Sequence, residues 1–394
     1  MTAKVSANCP DMEGEILADC VIDGSDSRWN LQGNISTLNM AVLGMTGKYQ
    51  GIYGVEDISV RLQGSDPDNM LGDARISGLE CRLNEGKSWI LNNFGVSMTG
   101  DNEQRRINVD SDVLDGEVRG HFSFAQLPRL FTGILANSLP SYFKAPDTPL
   151  DEWNSLSYSL SLKPDDNIYK ALNLPARPGA PVRIYGNVDN DNIEMTVVAP
   201  YILKGDKLIK GINLSADAGI RRGISVHGGV NFPVKNQYVK INLNGGAFKN
   251  IVTATLDWIA DNKLNNGTLR MGMEISKDAM QSPVYTFRIK DSNIMINGET
   301  WEVRPMRAIL SDRVLSVDDM NISHDDQFLK ISGRASASPE DTLTVRLNDI
   351  DLSYIFNTLN INYVTFGGNA SGRAVATQLF TRNPVAVSYT HLTL

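Results

Sequence analysis

With 394 residues, 42% hydrophobic and 21% charged, the chain has the composition of a folded protein rather than a disordered one. Its formal net charge is −8, and no basic run exceeds Arg105-Arg106 or Arg221-Arg222. That excludes the concentrated basic stripe on which nucleic-acid binding depends, and the two arginine pairs are expected to be solvated. Cys9, Cys20 and Cys81 form no CxxC pair, which excludes zinc and thioredoxin-type sites. A Cys9–Cys20 bridge is one pairing that an oxidising compartment would permit. No apolar run approaches the ~18 residues of a membrane span, and the first residues lack a signal-peptide pattern.

Along the chain the dominant signal is a period of two. INVDSDV (107–113) aligns Ile107, Val109 and Val113, and EVRGHFSF (117–124) aligns Val118, Phe122 and Phe124. A helical face follows in 124–143, built from Leu127, Leu130, Phe131, Ile134 and Leu135 and bounded by Pro128 and Pro140. A second short helix is expected over 165–174. Strands resume with VKINLNGG (239–246), which aligns Val239, Ile241 and Leu243. TLRMGMEIS (268–276) aligns Leu269, Met271, Met273 and Ile275; VYTFRIK (284–290) aligns Tyr285, Phe287 and Ile289. TLTVRLN (342–348) aligns Leu343, Val345 and Leu347, after which the phase shifts toward Ile350. A third short helix is expected over 352–361. Opposite positions are mostly Asn, Asp, Arg, Thr, Ser and Lys, so each strand should bury one face and wet the other.

The segments between strands are rich in Gly, Asn and Asp, which tolerate positive φ and bond their own backbone. Turns spaced this regularly indicate a long antiparallel array. The order of strands followed by a short helix occurs near 107–135 and again near 328–361, a weak internal repeat. The expected organisation is a first β-groove module over 1–143 ending in a helix, then a Pro-rich hinge with a short helix over 144–186. A second module over 187–361 ends in a helix, 362–385 begins the next, and 386–394 stands apart.

Chemistry-bearing patterns are scarce. The four histidines, His121, His227, His324 and His391, have no ligand spacing. GISVHG (223–228) is not GxSxG, and no GxGxxG, Walker loop or HExxH occurs. The acidic turns lack the spacing of a calcium loop. No catalytic, metal or cofactor site is therefore expected, and the chain reads as a non-enzyme. The apolar strand faces still need a covering. A second sheet, closure of the sheet on itself, or a bound apolar ligand would each supply it. The candidate lining residues are Phe122, Phe124, Val239, Ile241, Leu243, Met271, Met273, Phe287, Ile289, Leu343, Val345 and Leu347.

The stretch 328–380 carries the pattern S-x-x-PEDTL, then V-x-L-x-D-I-D-L-x-Y-I-F, then V-x-F-G-G-x-A-S-G-R-A. It resembles the translocation and assembly module family TamB, of the AsmA-like superfamily, as found in Bacteroidetes. The stretches 107–131 and 153–195 are similar to strand–helix units of the same family, and the resemblance covers most of 25–383. It implies a mainly β fold, a long repetitive antiparallel β-taco or β-groove with a few short amphipathic helices. It also implies a periplasmic protein anchored to the inner membrane, with phospholipid acyl chains and an Omp85-class outer-membrane barrel as partners. The family is implicated in phospholipid transport and in outer-membrane protein assembly and secretion, and has no catalytic residues to carry over. Neither the family's anchor nor its barrel-facing domain has a counterpart here, so an internal fragment is expected. A structural spacer or adhesin-like repeat with a closed core is the alternative. Residues 387–394, VSYTHLTL, match codon by codon a translated transposase sequencing adapter, so 386–394 are expected to be foreign to the protein.

Overall fold

A computed structural model describes residues 2–44, 50–83, 86–101, 103–148, 150, 153–172, 174–234, 236–351, 368–382 and 384–393. The fold is mainly β, 67% strand and 6% helical, and the strand pairings are antiparallel. The expected fold class is therefore the observed one. Contacts divide the chain into two units, 1–134 with 146–220, and 135–145 with 221–394.

The first unit opens with β1 (Thr2–Cys9), β2 (Met12–Val21), β3 (Arg28–Asn39), β4 (Gly51–Gln63) and β5 (Leu71–Leu83). It continues with β6 (Ser88–Thr99), β7 (Arg105–Ser111), β8 (Leu114–His121) and β9 (Ser155–Leu162). After β10 (Arg177–Pro178) come β11 (Val182–Asp189), β12 (Asn192–Lys204) and β13 (Lys207–Gly219). Each long strand pairs with the next long one, so the sheet is a meander. Alternating sequences joined by short turns give this topology directly, because a tight turn can only join antiparallel neighbours.

In the second unit the strands are β14 (Gly223–Val234), β15 (Gln237–Phe248), β16 (Ile251–Ala260), β17 (Asn266–Lys277) and β18 (Pro283–Ile289). Two short strands follow, β19 (Ser292–Ile296) and β20 (Glu299–Val303), and β18 pairs past them with β21 (Met306–Ser311). β22 (Val314–His324), β23 (Gln327–Ala335), β24 (Thr342–Asp351), β25 (Asn369–Thr377) and β26 (Val385–Thr393) complete the ladder. Two-residue hairpins with both residues at positive φ close several pairs, among them Lys249-Asn250, Asp312-Arg313 and Asn297-Gly298.

The expected helix in 124–143 is α1 (Leu127–Ser138), and the division between the units passes through it. Pro128 sits in its first turn, where the missing N–H costs nothing, and Pro140 follows its end. The expected helix in 165–174 is α2 (Asp166–Ala171), with Asp165 as its N-cap accepting from Ile168 N at 2.8 Å. The third expected helix, 352–361, lies outside the described residues. The sequence reading sets a hinge at 144–186, but β9 falls inside it and pairs on both sides, with β8 and with β11. The chain passes between the units after Ile134, after Ala145 and after Ile220.

Several strands carry one extra residue, and the extra residue preserves the apolar face. In β22, Val317 pairs with Gly333 and Met320 with Ile331, so three steps on one strand match two on the other. In β24, Leu347 pairs with Gly372 and Ile350 with Ala370. The bulge residues Asp319 and Asp349 have φ of 40° and 51°, a region that Asp enters more readily than most residues. β4 does the same between Val55 and Ile58 against β3, with Glu56-Asp57 as the interrupting pair. Without such bulges, every later side chain would change sides.

The three cysteines are free thiols. Cys9 lies opposite Met12 and Cys20 opposite Trp29, at opposite ends of β2, so the Cys9–Cys20 bridge does not form. Cys81 is buried, and burial pushes its thiol up, against a hydrogen bond with Tyr53 that lowers it.

Candidate apolar binding face

Cross-strand partners point to the same side of a sheet, so register alone sorts the side chains. In the first unit one row starts with Ala18, Leu31, Val60, Ala74, Val96 and Val109. It continues with Gly116, Leu160, Ile184, Val197 and Leu214. The row crosses eleven strands without a charged or polar side chain. At one strand per 4.8 Å it runs roughly 48 Å along the sheet. The next row on the other side reads Asp19, Asn30, Arg61, Asp73, Ser97, Asn108, Glu117 and Ser159.

The second unit repeats the arrangement. Ile224, Ala247, Val252, Met273, Phe287 and Ala308 lie opposite one another in turn. Val317, Gly333, Leu343 and Ala376 extend the row. Ten of the twelve sequence-derived lining residues fall on this face. Val239, Ile241 and Leu243 face Ala260, Trp258 and Leu256. Met271 pairs with Ile289, and Met273 with Phe287. Leu343, Val345 and Leu347 oppose Gly333, Ile331 and Leu329. Trp258 lies over Gly267, where an added Cβ would stand 2.6 Å from the indole ring.

These faces are not closed over. Ala18, Leu31, Val60, Val96, Leu160, Ile184 and Leu214 are all half-buried, as are Val239, Ile241, Met271, Met273, Ile289 and Val345. Leu243 and Phe287 are 37% and 36% exposed. The chain exposes 23506 Å². Two separate compact proteins of half its mass would expose about 18,000 Å² together. A filled sandwich core would hide these side chains almost completely.

Phe122 and Phe124 require a correction. The strand was expected to run to 124, but β8 ends at His121, and both rings lie in the turn before α1. They meet edge to face at 5.4 Å, and the Arg105 guanidinium sits 5.4 Å from the Phe122 centroid and 5.9 Å from that of Phe124. Arg105, expected to be solvated, is only 5% exposed, whereas its neighbour Arg106 faces solvent. Asp68 receives Ser123 Oγ at 2.7 Å and Phe124 N at 2.6 Å, and Arg105 Nη1 at 3.5 Å. Burial pushes the Asp68 carboxyl up, but the bonds from Ser123 and the backbone at Phe124 and Ala125, with the Arg105 charge, hold it below its usual value. Fully buried Asn154 continues the network, accepting from Ser123 N at 2.9 Å and donating from its own N–H to Asn190 Oδ1 at 2.9 Å. This network anchors the entry to α1 and is no part of the open face. Sequence reading missed it because its members come from five separated segments.

Two of the histidines are hydrogen-bonded to neighbouring strands or turns. His227 Nδ1 meets Asn244 Oδ1 at 2.9 Å, and His324 Nδ1 meets the Thr300 carbonyl at 2.8 Å. Among the described residues, no group of His, Cys, Asp and Glu side chains is arranged to hold a metal ion. Among the described residues, no helix is long and apolar enough to cross a membrane. In comparisons with protein-family models, with curated proteins and with solved structures, nothing matches this chain.

Proposed function

We propose that this chain is a middle segment of a TamB-like, AsmA-superfamily protein, and that its apolar sheet faces carry phospholipid acyl chains. The observation that carries the reading is the uncharged row from Ala18 to Leu214, continuous over eleven strands yet reached by solvent along its length. An acyl chain has the chemistry for such a strip. It is apolar, unbranched, and makes no directional bonds, so it can slide along a surface that offers none. The work is passive, with binding and release in place of a reaction, and requires no cofactor. In this reading the segment works in the periplasm, between an inner-membrane anchor and an Omp85-class barrel, and serves phospholipid transport, outer-membrane protein assembly or both.

The test is native mass spectrometry with lipid extraction on the chain purified gently from a bacterial periplasm. Co-purifying phospholipid is the expected result. A lipid-free chain, with no uptake when phospholipid is supplied, would favour the structural-spacer alternative.

A further inference from the structure

On the polar side of β23, β24 and β25, three cations stand directly opposite one another. Lys330 pairs with Arg346, and Arg346 with Arg373. Arg346 and Arg373 are exposed and Lys330 is half-buried, its Nζ 4.7 Å from the Phe328 ring centroid. Like charges directly opposite on neighbouring strands repel and destabilise a sheet. Some cations of this acidic chain have carboxylate partners, such as Arg334 with Asp341 and Arg288 with Glu274. Among the described residues, Arg346 and Arg373 have no ion pair. β23 and β25 contain no acidic residue, and β24 has none before Asp349. The flanking positions on the same side are Ser332, Thr344 and Val375 in one direction and Phe328, Asn348 and Ser371 in the other, all of neutral charge. The row ends at Asn321, opposite Lys330, which is 4% exposed with Oδ1 unpartnered.

We propose that this row is an anion-binding surface for the phosphate-bearing headgroups of an anionic membrane. Lys330 and Arg373 are two strand spacings apart, roughly 10 Å, with Arg346 between them. Such a flat, three-point array fits several fixed phosphates on a surface better than one small ion in a pocket. Arginine and hydroxyl donors are suited to phosphate oxygens. The surface lies opposite the apolar face and does not depend on what that face carries. Bound headgroups would offset the repulsion that the row otherwise imposes.

The experiment is co-sedimentation of the full chain with phosphatidylglycerol–phosphatidylcholine vesicles and with vesicles of phosphatidylcholine alone, for the parent and for K330Q/R346Q/R373Q. Each cation at an anionic leaflet is worth about fivefold in partitioning, so the triple variant should bind about 100-fold more weakly. Parent binding should also fall as salt rises. Thermal unfolding of R346Q should give a midpoint at or above the parent's, because a repelled charge is removed. Four results would overturn the proposal. These are equal adsorption of parent and triple variant, no preference for the anionic vesicles, binding of inorganic phosphate without vesicle binding, or a lowered midpoint for R346Q.

Discussion

Val317 and Met320 are three residues apart, yet they face the same side of the sheet, opposite Gly333 and Ile331. The bulge between them places Asp319 at positive φ, as the bulge in β24 does for Asp349. Replacing Asp349 with Val should cost about 1–2 kcal/mol, since a β-branched side chain is disfavoured there, while Asp349→Gly should be close to neutral. Chemical denaturation of the two variants measures the difference. Deleting Asp319 should do more, because the rest of β22 must then either change sides or lose its register. Amide hydrogen exchange across β22 and β23 should show protection lost there.

A second prediction concerns acid. The Asp68 carboxyl is held below its usual value in the folded protein, so its contribution to stability is present above the unfolded-state value. It is lost as pH falls through the folded value, which sets the window below about pH 4. Asp68→Asn should remove that part of the acid dependence. At neutral pH it should also weaken the anchor by about 2 kcal/mol, because Arg105 stays buried beside a neutral amide. Thermal midpoints measured from pH 3 to pH 7 for both proteins test this.

The alternation of 239–246, 268–276, 284–290 and 342–348 was enough to place ten lining residues on one face, because a period of two fixes sidedness wherever register holds. The same rule failed at Phe122 and Phe124, where the strand stops at His121 and the aromatic pair turns to pack on Arg105. Tertiary contact with Asp68 decides that ending, and local pattern contains no trace of it. The bulges do have a sequence signal. Val55-Glu56-Asp57-Ile58, Val317-Asp318-Asp319-Met320 and Leu347-Asn348-Asp349-Ile350 each set two polar residues, the second an Asp, between apolar ones. Only the last of these stood out in sequence as a change of phase. Whether a face is open cannot be read from alternation, since a filled sandwich has the same pattern.

Trp258 covers Gly267, so a side chain at 267 must displace the indole. Gly267→Val should cost about 1–3 kcal/mol. In a Trp258→Ala background the same substitution should cost less, since the obstructing ring is gone. A double-mutant cycle by urea denaturation should show this coupling, and additive effects would contradict the packing described.

Charge on the apolar face should block occupancy. Met271 and Val345 are half-buried members of adjoining rows in the second unit. Met271→Arg with Val345→Arg should abolish phospholipid co-purification, since an unpaired charge beside acyl chains costs several kcal/mol. Solvent access to both sites allows the fold to persist, and circular dichroism should show unchanged strand content.

The most direct test sets neighbouring residues against each other. Leu160 lies in the apolar row, and Ser159 is on the opposite side of the same strand. A photo-crosslinking amino acid placed at each, one at a time, and irradiated in cells reports what each face touches. The account predicts phospholipid adducts at Leu160, and likewise at Met271, with few or none at Ser159 and Arg270. Equal labelling on both sides, or no lipid adduct at Leu160 and Met271, would contradict it.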